Sequence, residues 1–563
     1  MSKPKKNKTE LNRNVPISKV IKQNKTDFSK FNLCLEWIVL GIILLFTISI
    51  RVNFLEIPFE RDEGAYTYCG KAILNGAIPF KDLGSNRLPG IFYFYSVLVF
   101  IFGYSVKAMH SAFLFINLAT IVTLFLIGKK LLNSITGLTI AAAFALLSLT
   151  PQASGFTIQS EHIVACSGFA GFLFLLHYFD KHKLYFLILS SCCLTIAFQT
   201  KQTSMFYVIF SAVLFLFHHL VKKPIEWKKT IVNAVVYASC FLIPILFTLF
   251  IVWYRGAAED FKIWMVDIQK LYVSVISFSQ GLTYLEGNMK AFTQDYYYLW
   301  VLAFIGPILI WFTKTSLFNK IFVSGIFVFC FFTVVPGYHY YGHYFLQWIP
   351  AVAASVGATI YSIQSILERI TKSTLVSSSI VVIIFFVAAS NNISKMKDYY
   401  FKSNHTRILR AVYGLNPFPE SMVVAKHLNS IMKPEDEIAV FGNEIQMYVY
   451  TNRVSPSRFA GSGALVEFPH PKQKEWVDEF ISDVEKAAPK YLVYYDHQIS
   501  WLANPRSDLS IFSWFNKFSN DYYKIIGYAD MFDDQTLYVW GTEEVLKKPT
   551  RSKFRILLYE KKA

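Results

Sequence analysis

Long apolar runs fill the sequence between residues 33 and 390, and they constrain the fold more than any other feature. Each run is about 16–25 residues long, close to the roughly 20 residues that a helix needs to cross the hydrocarbon core of a bilayer. Only 17% of all residues are charged, against about 25% in an average soluble protein. The sequence therefore predicts a polytopic α-helical membrane protein.

Basic residues indicate which ends of these runs face the cytoplasm. Residues 1–30 carry nine Lys or Arg residues against two acidic ones, and the segments GKKLLN (128–133) and VKKPIEWKK (221–229) are also basic. Cytoplasmic loops of membrane proteins are enriched in Lys and Arg. Every strongly basic segment falls on the cytoplasmic side if the chain has about eleven spans and the segment 90–103 does not cross.

The segment 90–103 is too short to span a bilayer. It offers about 13 residues between two glycines, or roughly 20 Å as a helix, against a hydrocarbon core of roughly 30 Å. Its aromatic residues are typical of a helix that lies at the headgroup level. We therefore predict an interfacial helix within a first outer loop that covers residues 53–107.

Charge and hydropathy divide the chain into three predicted regions. They are a cytoplasmic basic tail (1–32), a transmembrane domain (33–390) and an extracytoplasmic, water-soluble α/β domain (391–563). In the last region helix-like segments alternate with the strand-like segments 437–442, 491–496, 523–529 and 536–541. The predicted location is the cytoplasmic (inner) membrane, with the N-terminus in the cytoplasm. The net charge of +17 lies mainly in the tail and the cytoplasmic loops, so it does not indicate a nucleic-acid partner.

The same topology places polar residues together at the outer face of the membrane. They are Asp62, Glu63, Arg87, Glu161, His162, Lys201, Gln202, Arg255, His339 and His343. A carboxylate can take a proton from a hydroxyl group, and Lys or Arg can hold a phosphate. This combination predicts a site for an anionic, lipid-linked substrate.

Simpler interpretations of these residues remain open from the pattern alone. Asp62 and Glu63 are also explained as solvated loop charges, and Lys201 as a side chain that reaches to the interface from a helix end. His162, His339 and His343 offer nitrogen ligands for a metal, although no close ligand spacing such as HExxH is present.

The segment 59–103 contains the most specific motif of the chain. It reads FERDEGAYTYCGKAILNGAIPFKDLGSNRLPGIFYFYSVLVFIFG. It resembles the first outer loop of the dolichyl-phosphate-mannose protein mannosyltransferase family, a GT-C family that includes the bacterial enzymes that move aminoarabinose onto lipid A. The shared pattern is an Asp-Glu pair, a short helix with a Gly-rich turn, and an aromatic amphipathic helix ending in Phe-Gly. The chain departs from it at Arg87-Leu88-Pro89, where the family has Lys-Pro-Pro, but Arg87 keeps the cation. Weaker similarities lie at 158–162, 200–206, 342–350 and 440–459.

The resemblance implies an inverting glycosyltransferase that moves a sugar from a polyprenyl-phosphate donor to a lipid, glycan or protein acceptor. It implies that Asp62 is the general base and that Glu63 is a second catalytic carboxylate. The residues expected to bind the donor phosphate are Arg87, Lys201, Arg255, His343 and Tyr344. The residues expected to orient the sugar or the acceptor are Glu161, His162 and Gln202. No cofactor is required by the sequence, and assistance by a divalent metal is left open.

Two other functions are compatible with a polytopic chain. A transporter or flippase needs charged or Gly/Pro-broken helices near the bilayer midplane, often in repeated halves. A non-catalytic scaffold for a cell-envelope polymer needs only the outer domain, and Asp62 would then be dispensable.

Overall fold

The computed structural model describes residues 17–221, 224–402 and 404–562, with residues 17–33 described by their backbone alone. Residues 1–16 of the basic tail predicted at 1–32 lie outside the described residues. Residues 17–32 of that tail form the start of the first helix. Helices coincide with all of the predicted spans. Their bounds are α1 Ile17–Arg51, α4 Val106–Leu131, α5 Ser134–Leu147, α6 Ser160–Lys181, α7 Leu184–Thr200, α8 Met205–Val221, α9 Trp227–Tyr254, α12 Phe278–Leu309, α13 Leu317–Phe332, α14 Ile349–Thr371 and α15 Thr374–Phe401.

The lengths of these helices support the polytopic prediction. Within the described part of the chain, eight helices are long and apolar enough to cross a membrane. The other predicted spans, α5, α7 and α13, are apolar helices of 14, 17 and 16 residues. The chain is therefore a multi-pass membrane protein, and the predicted fold class is confirmed.

The predicted outer loop 255–295 is largely helical. It contains α10 (Ala258–Lys262), a π-helical turn (Ile263–Asp267), α11 (Ile268–Ser274) and the first part of α12, which starts at Phe278 rather than at the predicted residue 296. Residue Tyr296 has non-helical backbone angles and kinks α12. The predicted start of the span thus corresponds to the kink, where the polar half of α12 meets its apolar half.

The first outer loop folds into two helices, α2 (Arg61–Leu74) and α3 (Gly90–Phe102). One face of α3 packs into the protein through Ile91, Phe92 and Tyr95, which are at most 1% exposed. The opposite face presents Val97 and Phe100, which are 52% and 79% exposed. An apolar exposed stripe on a helix of 13 residues fits the predicted interfacial position.

The C-terminal α/β region, called the outer domain after its predicted location, is built on one five-stranded sheet. Its strands are β1 Ile438–Phe441, β2 Tyr491–Asp496, β3 Tyr523–Met531, β4 Thr536–Trp540 and β5 Arg555–Lys561, in the order β1-β2-β5-β3-β4. β1 and β2 are parallel, and the remaining pairs are antiparallel. The helices of this region are α16 His405–Tyr413, α17 Phe418–Ile431, α18 Gln446–Thr451, α19 Ala464–Glu467, α20 Gln473–Ala487, α21 Gln498–Trp501, α22 Ser510–Tyr522 and α23 Thr542–Lys547.

The outer domain and the first outer loop share one hydrophobic core. Tyr68 of α2 and Tyr95 of α3 belong to the same buried cluster as Leu428, Val440 and Tyr448 of the outer domain. Burial of apolar surface contributes roughly 25 cal/mol per Å², so a shared core of aromatic side chains holds the two regions together.

Polar contacts fix the register of this junction. Arg61 of α2 donates to the Glu444 carboxylate at 2.9 Å, and Lys71 donates to the side chain of Asn452 at 2.7 Å. A Cβ added to Gly64 would lie 2.4 Å from the Cβ of Gln446. The backbone of α2 therefore lies directly against α18.

Candidate active site

The pair Asp62-Glu63 occupies the first turn of α2. Glu60 is the N-cap: its side chain accepts from the backbone N–H of Glu63 at 2.8 Å, and the Glu63 side chain accepts from the N–H of Glu60 at 2.7 Å. This reciprocal arrangement is a capping box, with Glu60 in the position usually taken by Ser or Thr. It fixes the start of the helix and so orients Asp62.

Asp62 faces a cavity of about 1190 Å³ between the membrane helices and the outer domain. Its side chain is 33% exposed, and its Oδ2 lies 3.5 Å from Nη2 of Arg87. The Tyr66 hydroxyl donates to the same Oδ2 at 3.4 Å and accepts from Nε of Arg87 at 2.9 Å. Burial raises the pKa of Tyr66 well above its ordinary value against the opposing effect of Arg87, so the phenol keeps its proton.

Glu63, expected to be a second catalytic carboxylate, points into the protein. Its side chain is completely buried, and it accepts from the backbone N–H of Ile158 and lies 3.2 Å from Nε2 of His110. Together with the capping box, these contacts occupy both oxygens. The geometry therefore favours a positioning role for Glu63, one residue away from the carboxylate that faces the cavity.

Glu161 and Lys201 form a buried ion pair behind the cavity wall. The two side chains are 1% and 9% exposed, and Nζ of Lys201 also lies 3.5 Å from the centre of the Tyr344 ring. The Tyr344 hydroxyl lies 2.6 Å from that of Tyr272, and both tyrosines line the cavity. Lys201 is thus neutralised by Glu161 instead of standing free beside Arg87.

His343 is the predicted histidine that reaches the cavity. Its Nε2 lies 4.0 Å from Glu161, and its ring stacks at 5.9 Å on Tyr341. Burial lowers the pKa of His343, Glu161 opposes that shift, and Lys201 adds to it. A neutral imidazole at this position can exchange hydrogen bonds with a substrate without adding charge.

The remaining predicted residues do not line the cavity. His162 lies beside a separate space of about 20 Å³, which Arg51 and His110 also line. Gln202 belongs to the short helical turn after α7, and Arg255 is exposed at the end of α9. His339 stacks at 4.1 Å on Tyr272 and contacts its carbonyl oxygen at 3.1 Å.

The histidines considered as metal ligands are not brought together. In the described ranges, no group of three or more His, Cys, Asp or Glu side chains is placed to hold a metal ion. The polar lining of the cavity includes carboxylates, tyrosine hydroxyls, His343 and the cations Arg61, Arg87, Lys402 and Arg407.

Three carboxylates of the cavity were not predicted from the sequence: Glu60, Glu467 and Asp398, the last of which pairs with Lys402 at 3.2 Å. Glu60 precedes the Asp-Glu pair, and burial, followed by the charges of Asp62 and Glu63, raises its pKa well above the ordinary range. Glu467 comes from the outer domain; burial raises its pKa to about 7, and Arg61 and Arg87 act in the opposite direction. Tyr66 was also missed, although its position four residues after Asp62 on a helix places it on the same face.

Comparison with known proteins gives structural similarity at low sequence identity. No family model and no curated protein matches the chain. The crystal structure of ArnT from Cupriavidus metallidurans bound to undecaprenyl phosphate superposes with a TM-score of 0.53 at 12% identity, over 94% of this chain and 97% of that one. The archaeal oligosaccharyltransferase AglB from Archaeoglobus fulgidus, in complex with an inhibitory peptide and a dolichol-phosphate, gives 0.52 at 11%, over 91% and 75%.

The chain has a GT-C-type fold. This confirms the fold expected from the motif at residues 59–103. Identities of this size establish the fold alone, so the roles of the cavity residues have to be argued from their own geometry. In this GT-C-type fold, Asp62 and Arg87 are the predicted pair that the structure places side by side at the cavity.

Proposed function

We propose that the protein is a membrane glycosyltransferase that moves a sugar from a polyprenyl-phosphate donor to an acceptor at the outer face of the cytoplasmic membrane. The observation that carries this proposal is the half-exposed Asp62 carboxylate beside Arg87, at a large cavity within a GT-C-type fold. The lipid phosphates bound by the structurally similar ArnT and AglB support a lipid-phosphate donor.

The proposed reaction is a direct displacement. Asp62 takes the proton from the acceptor hydroxyl, whose oxygen attacks the anomeric carbon of the sugar. The bond from that carbon to the phosphate oxygen breaks with inversion, and the polyprenyl phosphate leaves with the electron pair. Arg87 stabilises the negative charge that grows on the leaving phosphate.

The contact between Asp62 and Arg87 suits both roles. At 3.5 Å, and with side chains 33% and 22% exposed, it is a weak ion pair that contributes at most about 1 kcal/mol. Arg87 is therefore available to a phosphate, which the guanidinium can bind through two parallel hydrogen bonds. The hydrogen bond from Arg87 Nε to Tyr66 holds the side chain near the carboxylate in the meantime.

Lys201 has a supporting part in this scheme. Its charge is balanced by Glu161, and the pair lies under the Tyr344 ring that faces the cavity. The donor phosphate is then held chiefly by Arg87, with hydroxyl donors from Tyr272 and Tyr344.

The replacement Asp62→Asn tests the proposal. It keeps the shape of the side chain but removes the base, so sugar transfer should fall by about 10²–10⁴-fold. Transfer is measured with purified protein and a synthetic polyprenyl-phosphate sugar. Glu56→Gln, an exposed carboxylate of the same outer loop, is the matched control and should leave transfer unchanged.

Thermal unfolding and insertion of the Asp62→Asn protein should match those of the wild type. Wild-type transfer rates in Asp62→Asn would remove the residue from the reaction. No transfer by the wild-type protein would favour the scaffold interpretation. Net movement of the lipid across vesicles without transfer would favour a transporter.

A further inference from the structure

The outer domain contributes the Glu467 carboxylate to the wall of the cavity. Glu467 is the last residue of α19, and it lines the same cavity as Asp62 and Arg87. It is half-buried, and the charges of Arg61, Arg87 and Asp62 all act on it. The group therefore lies within the electrostatic field of the proposed reaction centre.

Side-chain hydrogen bonds hold the backbone that carries Glu467. The carbonyl oxygens of Leu465 and Val466 accept from the side-chain amide of Gln473 at 2.8 and 3.2 Å. The carbonyl oxygen of Val466 also accepts from Ser507 at 2.6 Å, and that of Glu467 accepts from Asn504 at 3.0 Å. Three side chains thus satisfy three of the four carbonyl groups of this helix, as capping residues do at longer helices.

The carboxylate itself is unoccupied. Among the residues that the structure describes, none makes a hydrogen bond or an ion pair with the Glu467 side chain. A carboxylate accepts up to four hydrogen bonds, and this one is left to accept them from a molecule in the cavity. A rigid backbone with a free acceptor is the arrangement expected for a ligand-binding group.

The surroundings of Glu467 match the chemistry of a sugar. Trp264, Tyr341 and Phe468 line the cavity together with it, as does Asn443. Apolar and aromatic walls with a few fixed polar groups are typical of small-molecule sites. The hydroxyl groups of a pyranose ring supply the donors that a carboxylate needs.

We propose that Glu467 binds hydroxyl or amino groups of the transferred sugar and thereby selects which sugar the donor carries. This inference rests on the proposed function, because it assumes a sugar linked to a polyprenyl phosphate. The phosphate is bound at Arg87 and the acceptor is deprotonated at Asp62, so the sugar ring lies between these residues and reaches toward Glu467.

The test compares the affinity of the protein for a lipid phosphate with its affinity for the same lipid phosphate carrying a sugar. The increase in affinity that the sugar causes is called the gain. The probes are undecaprenyl phosphate and its conjugates with a neutral hexose, an N-acetylhexosamine and an amino sugar, added to the full-length protein. We expect at least one conjugate to bind more tightly than undecaprenyl phosphate. Glu467→Ala should reduce that gain by about tenfold or more, since hydrogen bonds to a charged group contribute roughly 1.5–3 kcal/mol. The affinity for undecaprenyl phosphate itself should not fall, since the charge that is removed is opposite to that of Arg87.

The pH dependence separates binding from a structural role. The carboxylate is the better acceptor, so the gain from the sugar should shrink as the pH falls through about 7. Glu467→Gln should keep a small gain with no such pH dependence. Glu475→Gln, an exposed carboxylate of the same domain, is the matched control and should behave as the wild type.

Each outcome separates this inference from the proposed function. If Glu467→Ala and the wild type show the same gain, or if no conjugate binds better than undecaprenyl phosphate, Glu467 does not bind the sugar. If the gain depends on Glu467 but Asp62→Asn transfers sugar normally, the inference stands and the catalytic proposal fails. Equal thermal midpoints for both Glu467 variants and the wild type exclude misfolding.

Discussion

At the scale of single residues, the buried pair Glu161–Lys201 makes the sharpest prediction about stability. Lys201→Met leaves the Glu161 carboxylate buried without its cation, which typically costs about 3–5 kcal/mol. We expect a clear fall in the thermal midpoint in detergent. The double change Lys201→Met with Glu161→Gln removes both charges and should recover most of that loss.

The matched control for this pair is Lys107→Met, which removes a lysine from the exposed pair with Glu56. Its effect should be smaller, because solvent screens the remaining charge. A Lys201→Met protein as stable as the wild type would show that Glu161 is already neutral, and the ion pair would then have to be abandoned.

Residue identities were easier to predict than residue partnerships. Asp62 and Arg87 were both expected at the outer face, because each belongs to a local motif with a specific pattern. Glu161 and Lys201 were also expected there, but their pairing joins positions 40 apart in sequence and leaves no local signal. The inward orientation of the Glu63 side chain depends on contacts with His110 and Ile158. These residues are distant in sequence and lie close to Glu63 only in the folded protein.

At the scale of elements, the contact between α2 and α18 predicts that a substitution away from the reacting groups lowers sugar transfer. Gly64→Ala places a methyl group against Gln446, where the added Cβ would be 2.4 Å from the Cβ of that residue. The two helices must separate, so the start of α2 and the position of Asp62 shift. We expect transfer to fall by about tenfold or more, since small displacements of catalytic groups are costly.

Gly287→Ala is the control for this change. Gly287 also lies within a helix, α12, and an added Cβ has no atom within 4 Å. This variant should keep wild-type transfer and stability, or gain slightly because Ala favours the helix. Full activity of Gly64→Ala would mean that α2 can move away from α18 without disturbing Asp62.

The elements themselves were largely predictable from apolar patterning. Helices appear at every predicted span, and four of the five strands overlap their predicted segments. Strand β5 was missed, because RILLYEK begins and ends with charged residues and stands at the end of the chain. Its place between β2 and β3 is a tertiary property. The early start of α12 was missed because its first half is polar and carries no span signal.

At the scale of the whole molecule, the topology remains a prediction. In a protein without native cysteines, single cysteines at Asn75 and Lys107 should react with an impermeant reagent in intact cells. A cysteine at Lys314, in a predicted cytoplasmic loop, should react after permeabilisation alone; all three positions are exposed. Protection of Lys107 in intact cells would mean that α3 crosses the membrane, and the sidedness of every later segment would be reversed.

The core shared by α2, α3 and the outer domain has a consequence for the design of chimeric proteins. A chimera that exchanges the outer domain at residue 404 would separate Arg61 from Glu444 and set a foreign surface against Gly64. A graft that carries residues 59–103 together with the outer domain keeps this junction intact. If Glu467 selects the sugar as proposed, a change of sugar specificity by domain exchange requires a discontinuous block of sequence, residues 59–103 together with the outer domain.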